Sequence, residues 1–155
     1  MIDLERITAI HEAGHAVAAI RAGLVFDQVS IIPDESLETD GALYWNEMEE
    51  LGEIVMPPEL LAVVLLAGPC AEARARGLRS DRMFAGEAAT QDREAMATLG
   101  LTQSQFMAAS REAVALVERD WHVIEAVAQE LTEVERLDYE EVEAMVDAGA
   151  DPAAS

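Results

Sequence analysis

Lysine is absent from this 155-residue chain: all ten basic residues are arginine. A phosphate-binding loop ending in Gly-Lys-Ser/Thr is therefore impossible, so these residues carry no P-loop ATPase. A pyridoxal Schiff base, which needs a lysine amine, is excluded for the same reason. Cysteine is almost as scarce. Cys70 is the only one, so no internal disulfide can form, and a reducing, cytoplasmic setting is expected. It lies in the apolar run Leu65 to Ala71, which points to a buried, inert thiol rather than a nucleophile. Long hydrophobic runs are missing too. The longest, Leu60 to Ala71, falls short of the roughly 18–20 residues a membrane span needs. The N-terminus has no basic lead followed by an apolar stretch, so no signal peptide is expected. Positive charge is outweighed throughout, and the formal net charge is −21. An acidic surface of that size repels phosphate backbones and anionic lipid, which argues against nucleic acid and membrane as partners. Aromatics make up only 5%, so the core must be built from Ala, Val, Leu, Ile and Met.

What is present is enough for one folded domain. Hydrophobic residues reach 51% and charged residues 26%, the balance of a globular protein rather than a disordered one. Asp3 can cap a first helix from Leu4 to Ala22, with Gly23 as its stop. Leu4, Ile7, His11, Gly14 and Ala18 fall on one face of it. Gly14 costs such a helix about 1 kcal/mol relative to alanine, which suggests close approach by another backbone or a ligand. Val25 to Ile32, ended by Pro33, reads as a strand, and Gly41 to Asn46 as a second; the acidic stretch Asp34 to Asp40 is a loop between them. Pro57 and Pro58 introduce a helix to Arg76, stopped by Gly77 and expected to be kinked by Pro69 near Gly68. Leu78 to Gln91 reads as a loop and Asp92 to Leu99 as a short helix. From Thr102 to Leu137 the pattern is helical again, with Phe106, Ala109, Ala113 and Val117 on one stripe and a break near Asp120. Asp138 caps a last helix from Tyr139 to Val146.

The chemistry concentrates in His11-Glu12-Ala13-Gly14-His15. Residues four apart lie one turn above each other on a helix, so both imidazoles can meet one zinc ion at about 2.0–2.1 Å. Glu12 is displaced about 100° around the helix from His11, too far to be a third ligand from that face. It remains near enough to act as general base towards water activated by the metal, the division of labour of a metallopeptidase. The alternative is accident: two histidines and a glutamate placed for packing and capping. Against it, two of only three histidines fall at ligand spacing on a strongly helical segment, where a buried unpaired glutamate is costly. A zinc peptidase also needs a third protein ligand. The remaining imidazole, His122, reads as a helix-surface or core residue. Spacing alone does not choose among the carboxylates Glu72, Glu87, Asp92 and Glu94.

Thr8 to Ala16 resembles the active-site helix of the protease domain of FtsH-type membrane AAA+ metalloproteases. The similarity continues in order. Val29-Ser30-Ile31-Ile32-Pro33 resembles that domain's strand after the helix, and Gly41-Ala42-Leu43-Tyr44 its substrate-side strand. Leu66 to Glu72 is similar to the family's Leu-Ala-Gly-Arg-Ala-Ala-Glu helix, with Pro69 in place of the arginine. Ala88 to Asp92 is similar to its Gly-Ala-Ser-Asn-Asp segment, and Leu131 to Val142 to its final Leu-Leu-Glu-Lys-Glu-Thr-Leu-Asp run.

The resemblance implies a mostly helical α+β fold: a zincin-like HExxH helix, a small two- or three-stranded sheet and a C-terminal helical bundle. It implies a single peptidase-like domain over 1–146, with 147–155 as a flexible tail. It also picks Asp92 as the third metal ligand beside His11 and His15, with Zn2+ as cofactor and Glu12 as catalytic base. The family's AAA+ module and membrane helices would precede this domain, and only ten residues stand before His11. The expected activity is therefore zinc-dependent hydrolysis of unfolded or flexible polypeptides without a motor of its own. An ATPase acting in trans or a homo-oligomer would complete the assembly. The second reading is a non-enzymatic adaptor or assembly module that retains the fold, with or without the zinc.

Overall fold

Helix α1 (Leu4–Ala22) is the centre of the molecule, and its composition explains why. Between Ile7 and Ala19 only Thr8 is not buried, and six of these thirteen residues are alanine or glycine. A helix apolar and small all round can be enclosed on several sides at once. The expected single buried face was too narrow a reading: Leu4 is exposed with the rest of the first turn, whereas Ala9 to Ala19 is buried without a break. Gly23 ends it at φ +79°, and the Leu24 N–H returns to the Ala19 carbonyl at 2.9 Å.

The computed structural model describes residues 4–32, the backbone of 42–45, and residues 57–77 and 99–149. Asp3, the loop over 34–40, the loop over 78–91, the short helix expected from Asp92 and the tail beyond Gly149 lie outside these residues. After α1 come strand β1 (Phe26–Ser30) and strand β2 (Ala42–Trp45). Helix α2 (Pro58–Ala75) follows, then α3 (Gln103–Arg119) and α4 (Trp121–Val134). Strand β3 (Arg136–Asp138) and helix α5 (Tyr139–Asp147) end the described chain. The architecture is mostly helical α+β, as expected. No helix among the described residues is long and apolar enough to cross a membrane.

The sheet has three antiparallel strands in the order β2-β1-β3, with Val29 opposite Leu43 on one side and Leu137 on the other. β3 corrects the sequence reading, which carried one helical pattern through Leu137. The helix stops at Val134, and Glu135 turns the chain at φ +71°. No glycine marks this left-handed stop, and three residues are too few to show a period of two. Only Leu137 of β3 is buried.

The other boundaries follow local chemistry. Pro57 and Pro58 open α2, which runs unbroken past Pro69. Thr102 and Gln105 form a capping box for α3, and Asp138 and Glu141 do the same for α5. The break expected near Asp120 is real, and Asp120 has a further task there. Its buried carboxylate accepts from Arg21 Nε at 3.1 Å and Nη2 at 2.9 Å, tying the end of α1 to the α3–α4 junction.

α1 packs against α2 on one side and α4 on another, with α3 laid over α2. The approach of α1 to α2 is close because Gly14 has no side chain. A Cβ built there would lie 2.6 Å from the Ala67 carbonyl oxygen and 2.9 Å from Ala71 Cβ. Backbone cannot yield cheaply. Gly14→Ala should therefore lower stability by about 1–3 kcal/mol through overpacking, outweighing the roughly 1 kcal/mol of helix propensity it gains. A fall in the urea midpoint checks this; an unchanged or higher midpoint would refute the close contact.

Candidate metal centre

The two histidines sit in the middle of α1, where packing from α2 fixes them. His11 meets Glu72 and His15 meets Val64, so the two helices run antiparallel at this point. Val64, Gly68, Glu72 and Arg76 recur every fourth residue and form one row along α2. That row is the scaffold of the site.

Each imidazole is oriented through Nδ1. His15 Nδ1 donates to the Val64 carbonyl at 2.9 Å, and His11 Nδ1 donates to Glu72 Oε1 at 2.9 Å. A carbonyl and an ionised carboxylate can only accept, so both rings carry their hydrogen on Nδ1. The two Nε2 atoms then face each other at 3.2 Å, close enough to share one proton or a metal ion. The rings meet edge to face, with centroids 4.9 Å apart. With both rings neutral, their lone pairs repel at this separation, and a shared proton or a metal ion relieves that repulsion. Two imidazoles on one tetrahedral zinc, each bonded at about 2.0–2.1 Å, would have nitrogens roughly 3.3 Å apart. The observed spacing fits that donor pair.

The site is dry. His11 is 3% exposed, His15 5%, Glu12 6% and Glu72 3%. One ligand atom from each of His11, Glu12 and His15 lies within 4.8 Å of the others, a group able to hold a metal ion. Glu12 is thus placed beside the imidazole pair rather than on the far side of the helix.

Glu72 was one of four carboxylates left open as a third ligand, and its position gives it a different task. Both of its oxygens are engaged: Oε1 by His11 Nδ1, and Oε2 by Arg76 Nε at 3.0 Å. Burial disfavours its charge, yet the hydrogen bond from His11 and the neighbouring charges overcome this and hold the carboxyl below its usual range. A carboxylate behind an imidazole fixes the tautomer and raises ligand basicity. Sequence spacing marked Glu72 as a candidate but not as this partner; the signal was a glutamate inside an apolar helix, which needs a donor when buried. Asp92, Glu87 and Glu94 lie outside the described residues. His122 is exposed on α4, away from this cluster.

Gly68 has a role that spacing alone did not reveal. A Cβ built on it would fall 2.3 Å from His15 Nε2 and within 2.7 Å of two ring carbons. The imidazole lies on bare α2 backbone. Cys70, two residues on, is 6% exposed, and burial pushes its thiol up to about 12, which makes it inert as expected. No protein-family model matches the chain, and no curated protein matches it either.

Proposed function

We propose that this chain is a zinc-dependent endopeptidase acting on unfolded or flexible polypeptides. The observation that carries the reading is the pair of Nε2 atoms held face to face at 3.2 Å, with Glu12 beside them. His11 and His15 are two ligands, and Asp92 is the third by resemblance to the FtsH-type protease domain. Zinc in this place supplies acidity to water, lowering its pKa to about 7, and polarises the scissile carbonyl. The protein does the rest. Glu12 takes the proton from the attacking water and delivers it to the leaving amine. Glu72 and the Val64 carbonyl keep both rings turned inward.

β2 lies at one edge of the described sheet, where an extended peptide can add as a further strand. Backbone pairing of that kind reads extension rather than side chains, which suits a loose preference for unfolded segments. These lysine-free residues hold no P-loop, so a folded substrate would need an ATPase outside them to open it.

Metal removal tests the reading. The purified chain should contain about one zinc per molecule and cleave a chemically unfolded protein. A chelator should abolish cleavage, and added zinc should restore it. Stoichiometric zinc with no cleavage of any unfolded polypeptide would favour the adaptor instead. Absence of bound metal would defeat the peptidase and leave only a metal-free adaptor.

A further inference from the structure

We propose that Arg76 is a positioning residue for the metal centre, acting on His11 through Glu72; the inference rests on the zinc reading above. The carboxylate of Glu72 can orient an imidazole only if its own plane is fixed. A terminal carboxylate rotates in a broad, shallow well. One hydrogen bond to Oε1 leaves that rotation open; a second, to Oε2, closes it. His11 supplies the first at 2.9 Å and Arg76 Nε the second at 3.0 Å. Arg76 is itself held at the end of α2, its N–H bonded to the Glu72 carbonyl at 3.0 Å. Backbone, guanidinium, carboxylate and imidazole thus form one continuous chain of contacts ending at a metal-facing nitrogen.

The same helix provides an internal contrast. Arg74 pairs with Glu118 and stacks over the Trp121 ring at 4.6 Å from its centroid. It joins α2 to α3 and α4 and touches nothing in the metal centre among its described contacts. Both side chains are about two-fifths exposed, 38% for Arg74 and 39% for Arg76. Exposure therefore does not separate them; only the direction of contact does.

The test uses the full chain with zinc and cobalt(II) as probes. Zinc affinity is read by competition with a chelating dye, site geometry by the cobalt absorption bands, and fold by metal-free thermal melting. Arg76→Gln should weaken zinc binding about tenfold, the lower end for outer partners of metal ligands. It should also shift the cobalt bands while the metal-free melt stays within a few degrees of the parent. Arg76→Lys, which restores a cationic donor, should recover part of the affinity. Arg74→Gln should leave zinc affinity unchanged. Parental zinc affinity and cobalt spectrum in Arg76→Gln would overturn the proposal, as would an equal loss in Arg74→Gln. A parent chain that binds neither ion would instead defeat the zinc reading beneath it.

Discussion

Replacing Glu12 with glutamine should leave zinc bound and slow peptide hydrolysis by about 10²–10⁴-fold. The substitution is nearly isosteric, so a side chain only 6% exposed keeps its shape and packing. What it loses is the ability to accept a proton from water. The imidazoles and their partners, Glu72 and Val64, are untouched. Zinc content should therefore match the parent while turnover collapses. This pair of measurements also separates two uses of the carboxylate. Glu12 lies within 4.8 Å of the imidazole nitrogens, a span compatible with direct ligation or with work through a water. A ligand changed to glutamine would lower zinc affinity together with activity; a base would lower activity alone. Unchanged turnover in the variant would remove Glu12 from the chemistry altogether.

The histidine pair was legible because helical spacing converts directly into proximity. Four residues make one turn, and nothing in the tertiary fold had to be known. The break at Asp120 and the cap at Asp138 were legible for the same local reason. Features that depend on a second element were not. Gly14 signalled a close approach, but the partner, the α2 backbone at Ala67, follows from the antiparallel docking of α2. Glu72 was one carboxylate among several until that docking set it behind His11. The enclosure of α1 on all sides also comes from packing: its alanines permit it without requiring it. β3 was hidden for a different reason, since a left-handed turn at Glu135 carries no glycine to announce it. Asp92 rests on resemblance alone, as its segment lies outside the described residues.

Gly68→Ala should cost the protein its metal rather than its fold. The added methyl would sit 2.3 Å from His15 Nε2, the atom meant to face the ion. Either α2 moves away from α1 or the imidazole turns aside. α2 is braced by a run of buried residues from Leu61 to Ala73, so moving it disturbs the whole core. Turning the ring gives up its hydrogen bond to Val64, which is worth only about 0.5–1.5 kcal/mol. The ring should yield first. His15 then loses both its orientation and its place opposite His11, and a site deprived of one imidazole should bind zinc more than about 100-fold less tightly, beyond the usual loss for an outer partner. Gly14→Ala, one turn of packing away, presses on the carbonyl of Ala67 and the Cβ of Ala71 instead and meets no imidazole. The two glycines should therefore separate cleanly: urea unfolding should respond chiefly to Gly14→Ala, and zinc competition chiefly to Gly68→Ala. If Gly68→Ala kept parental zinc affinity, His15 would not stand where a metal ligand must, and the centre would lose half of its imidazole pair.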